Sequence, residues 1–408
     1  MKQQYLFFDS AATTPCCSEA LKKLLHFTET EFGNPSSNHY YGVAPSQAIT
    51  QAKEFFAQSF GNIDKEQVIF TGSGTEADNL AIIGPALNAF SKNPSEFITN
   101  RKNIIISAIE HPAVSETAQS LKLYGIDVQI VPVNSKGQVE AKDLISLINE
   151  DTYMVSVMHV NNVLGSVNNI KSLASATKEK NPHTLFHTDA IQSFGKIDIP
   201  FENSKIDLIS ISSHKVYGPK GVGALIILNK DLQPKIKPLI YGGGQQENLR
   251  SGTESPGLIS AFHMASKKAL NEKNSSLENT LELKNHFIKQ LKTKKLIKSN
   301  ESNTGVIEVN SNEECIPYIV NLSFPGFPSS ALIKLLEERG IIASVGSACS
   351  SKKQSKENTL TQIGVSQKSA QSSIRFSFTK FNTTEEIEQL SLQIESCIDR
   401  MKKLLGYN

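Results

Sequence analysis

The chain has 408 residues, which is more than one small core requires and fits two domains. The hydrophobic fraction of 39% and the charged fraction of 20% are ordinary for a globular protein and argue against disorder. The net charge of +2 gives no broad basic field, so direct binding of nucleic acid is not expected.

The N-terminal segment and the apolar runs bear on location. Residues 1–15 lack the apolar core of a signal peptide, and no apolar run approaches the roughly 18 residues that span a bilayer. We therefore expect no membrane contact and a cytoplasmic protein.

Seven short β-rich runs alternate with helical patterns through the first part of the chain. They cover residues 68–71, 104–107, 128–131, 153–158, 185–188, 208–211 and 224–228. Several are apolar throughout, as is typical of strands covered on both faces. The alternation predicts an α/β fold in which a large domain, residues 17–258, holds a mainly parallel seven-stranded sheet.

A glycine-rich turn, GSGT at residues 72–75, follows the first of these runs. Its glycines allow close backbone approach, and Ser73 and Thr75 add hydroxyl donors. Free N–H groups and the positive end of the following helix dipole favour a phosphate there. An ordinary strand–helix turn explains the pattern about equally well. The turn matches neither a dinucleotide-binding motif nor a P-loop, so nucleotide binding is not supported.

Two later runs end in residues that suit a bound cofactor. Asp189 and Gln192 follow one run, at the carboxyl end of a strand, where ligands bind open parallel sheets. Read alone, Asp189 would more often be a helix cap. Another run leads into Lys215. A turn lysine is usually solvated, but a desolvated lysine loses proton affinity and can form a Schiff base.

Together, the turn, the carboxylate and the lysine are what pyridoxal 5'-phosphate needs. The turn would anchor the phosphate, and the carboxylate would keep the pyridine nitrogen protonated. The lysine would bind the cofactor covalently and later move protons. Each feature gains weight only in the company of the other two.

The pattern changes after about residue 256. Residues 260–296 predict one long helix, residues 307–309, 319–324 and 374–378 predict strands, and residues 330–339 predict a helix. Thr383 and Glu386 form a capping-box pattern before the last helix. We expect a smaller α/β domain that combines residues 1–16 with residues 259–408 and carries a loop that contains Cys349.

The five cysteines are odd in number and include no CxxC pair, which disfavours a disulfide framework and a zinc site. Cys397 lies on the apolar stripe of the last helix, so packing is its expected role. Cys16 and Cys17 stand at a predicted helix start, and Cys315 has no supporting context. Cys349 is surrounded by small and polar residues, a pattern typical of a loop that can reach both a substrate and an acceptor.

Nine motifs run nearly end to end in a fixed order. They are FDSAATTP at residues 8–15, FGNPSS at 32–37, EH at 110–111, MHVNN at 158–162, HTDA at 187–190, SHK at 213–215, RSGT at 250–253, GSACSS at 346–351 and SIRFS at 373–377. In these motifs the chain resembles the NifS/IscS-type cysteine desulfurases, within the class V aminotransferase-like, fold-type I pyridoxal-phosphate enzymes. A chance match does not explain motifs of this length and order.

The resemblance implies roles at the cofactor ring. Lys215 would hold the cofactor, Asp189 would pair with the pyridinium, and Gln192 would contact the ring hydroxyl. His111 would stack on the ring and help to move protons, although alone it would more often be a packed or surface histidine. Asn162 would lie beside both the cofactor and the substrate.

The resemblance also implies how the charged ends are bound. Thr253 would reach the phosphate from a second subunit, which implies a homodimer. Arg375, which alone would more often be a surface residue, would bind the substrate carboxylate with Asn162, since its fork matches two oxygens. Within one subunit, the phosphate would be held by Gly74, Thr75, Ser212 and His214.

By the same resemblance, L-cysteine is the substrate, and Cys349 takes its sulfur as a persulfide and leaves L-alanine. The sulfur would pass to an acceptor protein such as an iron–sulfur scaffold, for cluster assembly or for thiolation of tRNA or cofactors. No metal site is expected beyond transient contact of an iron–sulfur cluster with Cys349. The chain ends at Asn408, so the C-terminal extension by which some relatives bind a scaffold is not expected.

Rival functions remain open. A selenocysteine lyase, a cysteine-sulfinate desulfinase and a class V aminotransferase share the fold, and only the last is disfavoured by Cys349. A non-catalytic sulfur-relay subunit would not need the complete set of Lys215, Asp189, His111 and Cys349. A nicotinamide dehydrogenase is disfavoured by the missing GxGxxG motif. Departures from the family pattern, expected to tune rate or acceptor access, stand at Val163, Ser213 and Val345.

Overall fold

The computed structural model describes residues 5–88, 102–298, 305–345 and 359–406. Within these ranges the strands are β1 (Leu6–Phe7), β2 (Val68–Thr71), β3 (Asn103–Ser107), β4 (Asp127–Val131), β5 (Thr152–Ser156), β6 (Leu185–Asp189), β7 (Leu208–Ser212), β8 (Gly223–Ile227), β9 (Glu308–Val309), β10 (Ile319–Ser323), β11 (Ile341–Ile342), β12 (Ser344–Val345) and β13 (Ser373–Ser377). The helices are α1 (Ser18–Glu29), α2 (Tyr40–Ser59), α3 (Gly74–Asn88), α4 (Pro112–Ser120), α5 (Ala141–Leu147), α6 (Ile170–Lys180), α7 (Pro256–Asn271), α8 (Lys273–Thr293), α9 (Ser329–Glu338), α10 (Thr359–Gln362), α11 (Gln367–Gln371) and α12 (Thr384–Leu405).

Seven strands form one large sheet in the order β2-β8-β7-β6-β5-β3-β4. Strands β3 to β7 pair in parallel, whereas β8 runs antiparallel to both of its neighbours. Two hydrophobic cores cover its faces, one built with α2, α6 and α7 and the other with α3 and α4. The predicted mainly parallel seven-stranded sheet is confirmed, because burial on both faces favours the apolar runs seen in the sequence.

A second sheet lies in the last part of the described chain, in the antiparallel order β12-β13-β10-β9. Helices α8, α9 and α12 contribute apolar side chains to a separate core around it. Helix α12 begins at the predicted capping box, in which the Thr383 hydroxyl accepts the Glu386 N–H at 3.3 Å. The expected smaller α/β unit is therefore confirmed. None of the helices in the described ranges is long and apolar enough to cross a membrane.

The single long helix expected over residues 260–296 is wrong. The segment forms two helices, α7 and α8, on either side of Glu272. Phe262 of α7 is buried in a core of the large sheet, whereas Phe287 of α8 is buried in the core of the smaller sheet. One straight helix does not present its apolar residues to two separate cores, so packing overrides the local helical pattern.

The N-terminal segment links the two sheets. Phe8 is fully buried in the core of the smaller sheet, and Leu6 pairs in parallel with Ile341. Residues 9–14 then cross to the large sheet, where Thr14 contacts the backbone after β7. The division into residues 17–258 and the two flanking segments stays a prediction.

Candidate active site

The candidate site lies at one edge of the large sheet. Strands β6 and β7 are parallel, so their last residues, Asp189 and Ser212, reach the same edge. Gly223 of β8 pairs with both Ser212 and Thr71, which brings the turn after β2 to this edge as well. Local hydrophobic patterns thus place three candidate elements side by side, at the position where open α/β sheets bind ligands.

The glycine-rich turn is closely packed against the ends of the strands. A Cβ atom on Gly74 would lie 2.4 Å from Ile191 Cδ1 and 3.1 Å from Ser212 Cβ. A Cβ atom on Gly223 would lie 2.6 Å from the carbonyl carbon of Ser73. Backbone atoms therefore require glycine at position 223, whereas a Cβ atom at position 74 would require the end of the Ile191 side chain to move. Gly74 and Thr75 begin helix α3, so their N–H groups have no partner one turn earlier in the helix.

An ion pair that the sequence did not reveal braces this turn. Glu76 Oε2 accepts the Gly72 N–H at 2.8 Å, and Glu76 Oε1 accepts Nε–H of Arg250 at 2.8 Å. Arg250 belongs to the RSGT motif, which also contains Thr253. The pair ties the turn to a loop 174 residues later in the chain.

Lys215 ends a short 3-10 helix, Ser213–Lys215, directly after β7. Its ammonium group donates to the carbonyl oxygens of Ala11 at 2.5 Å and Ala12 at 2.8 Å. Both carbonyls belong to the FDSAATTP motif. The N-terminal segment therefore holds the lysine at the sheet edge, a contact with backbone atoms that carries no side-chain signal in the sequence.

Asp189 is almost fully buried, with 4% of its surface exposed. Burial raises the pKa of its carboxyl to about 6, while the N–H of Ile191, which donates to Oδ1 at 2.8 Å, and the charge of Lys215 lower it. On the same face of β6, His187 contacts the hydroxyls of Ser156 at 2.9 Å and Ser210 at 3.0 Å. A cationic partner at Asp189 would favour the carboxylate form.

Two histidines flank Lys215. His111 is the N-cap of α4, and its Nδ1 accepts the N–H of Ala113 at 3.1 Å, which leaves the proton on Nε2. Nδ1 of His214 lies 3.2 Å from the Thr13 hydroxyl. Burial, then the charge of Lys215, lowers the pKa of each imidazole to about 4, so both are neutral near pH 7.

Arg375 lies on β13 of the smaller sheet and faces the same region. Its Nη2 donates to Asp9 Oδ1 at 2.8 Å, and its Nη1 donates to the backbone oxygen of Asn162 at 2.8 Å. Its Nε is buried without a hydrogen-bond partner among the described residues. Asp9, which sequence reasoning assigned no role, therefore balances the charge of this arginine.

Gln192 joins the group at the sheet edge through a backbone contact. The Gln192 side chain is buried and donates from Nε2 to the Ala11 oxygen at 2.9 Å. Thr253 is exposed and lines a cavity of about 220 Å³ with Gly72 and Arg250. Cys349 lies outside the described residues. No group of three or more side chains suited to bind a metal occurs in the part of the chain that the structure describes.

The residues at the sheet edge fit pyridoxal 5'-phosphate. Ser212 Oγ is buried against the glycine turn and has no hydrogen-bond partner among the described residues, as a hydroxyl reserved for an anionic ligand would. A buried carboxylate for a pyridinium nitrogen and a lysine at the same edge complete the required donor set.

Comparisons with known proteins agree with this fit. Residues 6–390 match the family described as aminotransferase class-V. A cysteine desulfurase IscS of Dictyoglomus turgidum is 35% identical over 407 residues, 100% of this chain and 98% of its own. A solved NifS-like protein is 31% identical with a TM-score of 0.86, over 97% of this chain and 100% of its own. A second structure, SspA in complex with cysteine, is 30% identical with a TM-score of 0.76, over 92% of this chain and 99% of its own. The chain belongs to the class V aminotransferase family and, within it, to the NifS/IscS-type cysteine desulfurases, which depend on pyridoxal phosphate.

Proposed function

We propose that this chain is a cysteine desulfurase that converts L-cysteine to L-alanine and keeps the sulfur as a persulfide on Cys349. The observation that carries the proposal is the meeting of Lys215, Asp189 and the glycine turn at one sheet edge, with Arg375 facing it from the other sheet. Similarity to cysteine desulfurases over the whole chain supports the same activity.

The cofactor-binding roles follow from charge and position. Asp189 binds the pyridine nitrogen, Gln192 binds the ring hydroxyl, His111 covers the ring, and Lys215 holds the cofactor through Nζ. When bound, pyridoxal phosphate draws electrons from the α-carbon of the substrate. The phosphate is assigned to Gly74, Thr75, Ser212 and His214.

Proton transfer falls to Lys215 and His111. Nζ of Lys215 is the stronger base and takes the α-proton of the substrate once the substrate has displaced it. His111 is neutral near pH 7 and carries its proton on Nε2, so it donates a hydrogen bond or a proton from that atom. Arg375 and Asn162 orient the substrate through its carboxylate.

Sulfur transfer is assigned to Cys349. Its thiolate Sγ attacks the substrate sulfur, a sulfur–sulfur bond forms, and the carbon–sulfur bond of the substrate breaks. The electron pair left on the substrate's carbon takes up a proton, so the products are alanine and the enzyme persulfide. No outside oxidant or reductant is needed.

A homodimer and a sulfur acceptor complete the proposal. Thr253 is exposed, so its hydroxyl is accessible to a second copy, and it is assigned to the phosphate site of that copy. The persulfide is delivered to an acceptor protein such as an iron–sulfur scaffold. The cytoplasm is the proposed location, because a reducing compartment keeps the cysteine thiols free to react.

The decisive experiment is a reaction of the purified protein, loaded with pyridoxal phosphate, with L-cysteine. We expect alanine to be released and the peptide that contains Cys349 to gain the mass of one sulfur atom. C397A is the matched control, since Cys397 is a buried thiol in the core of the smaller sheet and should not affect either signal.

C349A separates the rival activities. We expect this variant to lose alanine release from cysteine and to retain the visible absorbance of the bound cofactor. Continued desulfuration of cysteine by C349A would contradict the proposal. Rapid release of selenium from selenocysteine by wild type and C349A, with no reaction of cysteine, would identify a selenocysteine lyase instead.

A further inference from the structure

Lys196 is a buried lysine that no step above uses. Only 8% of its surface is exposed, and its Nζ lies 3.2 Å from Gln192 Oε1 and 5.8 Å from the centre of the Tyr318 ring. The other end of the same amide, Gln192 Nε2, donates a hydrogen bond to the Ala11 oxygen at 2.9 Å. Lys215 Nζ donates to the same oxygen at 2.5 Å. A chain of hydrogen bonds therefore joins Lys196 to the catalytic lysine.

The two neighbours of Gln192 fix the orientation of its amide. A backbone carbonyl oxygen only accepts hydrogen bonds, and Lys196 Nζ carries N–H donors whether or not it is protonated. The Gln192 oxygen must therefore face Lys196, and its nitrogen must face Ala11. The oxygen and nitrogen of the amide cannot exchange places, so the second N–H of the Gln192 amide points in one defined direction.

Lys196 is a costly residue to bury at this position. Among the described residues, no carboxylate oxygen lies within ion-pair distance of its Nζ, in contrast to Arg375, which pairs with Asp9. Burial, then the like charges of Lys215 and Arg375, lowers its pKa to about 7. An apolar side chain would stabilise such a position better, which argues for a role in the site and not in the fold.

We propose that Lys196 is a positioning residue that fixes the amide of Gln192 so that its free N–H meets the ring oxygen of the cofactor. This inference rests on the proposed assignment of Gln192 to the cofactor. Lys196 itself touches neither substrate nor cofactor in this scheme. Its effect on the orientation of the cofactor ring is transmitted through Gln192.

A double-mutant cycle tests the proposal with the rate at which pyridoxal phosphate leaves the full-length holoenzyme. The proteins are wild type, K196M, Q192L and the double variant, followed by loss of visible absorbance after dilution. We expect K196M to speed release about fivefold when Gln192 is present and less than about 1.5-fold in the Q192L background, as for two residues that act as one unit. The absorption maximum of the bound cofactor should shift in the same direction in all three variants.

The outcomes separate this inference from the proposed function. Equal acceleration by K196M in both backgrounds would overturn the inference, because Lys196 would then act by its charge or by packing. Faster release in Q192L with no effect of K196M would overturn it as well, while leaving Gln192 as a cofactor ligand. Unchanged release in Q192L would instead remove the assignment of Gln192 itself.

A matched control and a second variant guard against loss of folding. K284M removes another buried lysine, whose Nζ donates to the backbone oxygens of Asn312 and Cys315 in the smaller α/β unit. This variant should leave the rate of cofactor release unchanged. If K196M does not fold, K196Q keeps a polar group whose shorter side chain does not reach Gln192. We expect the same accelerated release from K196Q, and wild-type release from it would contradict the proposal.

Discussion

The two sheets contribute to the site in different ways. The large sheet supplies Asp189, Ser212 and Lys215 from the ends of adjacent strands, so strand order brings them to one edge. The smaller sheet supplies Arg375 from the middle of a strand, and its guanidinium is fixed by Asp9 and the Asn162 backbone, far away in sequence. The proposed cofactor end, with Asp189, Ser212 and Lys215, is thus built from neighbouring strand ends, whereas the proposed substrate end, with Arg375, is assembled from segments far apart in the chain.

This difference predicts separate consequences for the two ends. Changes at the edge of the large sheet should alter cofactor binding or chemistry. Changes around Arg375 should alter substrate affinity and leave the cofactor in place. The N-terminal segment touches both ends, since Asp9 pairs with Arg375 and Ala11 and Ala12 accept from Lys215.

The largest expected effect is that of K215A at the cofactor end. Without Nζ, the chain loses both the covalent hold on the cofactor and the base that moves the α-proton, so we expect the rate of alanine release to fall about 10³-fold or more. K220A, which removes a lysine from the same turn, is the control and should change the rate less than about threefold. A K215A rate within tenfold of wild type would show that the site lies elsewhere.

Because of Asp189, the free energy of unfolding of the cofactor-free protein should be lower above pH 6 than at low pH. The pKa of the Asp189 carboxyl is about 6 in the folded protein, above its value in the unfolded chain. At low pH the carboxyl is protonated in both states, so folding does not require burial of a charged carboxylate. As the pH rises towards 6 the unfolded state ionises first, and stability falls by about 2–3 kcal/mol in total.

D189N removes this titration and should therefore stabilise the cofactor-free protein by about 2–3 kcal/mol at pH 7 and very little near pH 3.5. Urea unfolding of both proteins across this range measures the difference. The same variant should retain pyridoxal phosphate poorly, because the pyridinium loses its partner. A stability difference that does not vary with pH would contradict the buried-carboxylate interpretation.

R375K tests the substrate end. One ammonium group does not reproduce contacts to both Asp9 and the Asn162 oxygen together with a carboxylate, so we expect KM for L-cysteine to rise about tenfold, with kcat within about threefold. Cofactor release should match wild type. R400K, at an exposed pair with Glu338, is the control. Faster cofactor release from R375K would contradict the prediction that Arg375 affects substrate binding alone.

The sequence predicted the placement of Asp189 and Lys215 after strands of the large sheet, because the signals for those strands are local. Apolar runs marked the strands, and parallel pairing brings the residues that follow them to one edge. The break between α7 and α8 was missed, since local periodicity does not show which core a helix faces. The expected roles of the site residues, those of Cys349 and Thr253 included, stay predictions.

The contacts that support the site residues were beyond prediction for a physical reason. Lys215 is held by backbone oxygens of Ala11 and Ala12, and a backbone acceptor leaves no trace in residue identity. Lys196 reads as an ordinary surface lysine until its burial is known. The pairing of Asp9 with Arg375 spans 366 positions, so only the folded chain brings the two charges together.

The smallest expected effect concerns Glu76, which braces the phosphate turn from outside. The pair with Arg250 is partly exposed, with side-chain exposures of 22% for Glu76 and 27% for Arg250, so solvent weakens it. In E76Q we expect the free energy of unfolding to fall by about 0.5–1 kcal/mol. Cofactor release should quicken about two- to threefold, because the turn that carries Gly74 loses its link to the RSGT loop.

Thermal unfolding and cofactor release, compared with E314Q at an exposed pair with Lys136, measure this effect. E314Q should change neither quantity. If E76Q lowers stability but leaves cofactor release unchanged, the ion pair serves only the fold. If release quickens as expected, contacts outside the sheet edge also hold the phosphate turn, and the cofactor end is less local than its strand order suggests.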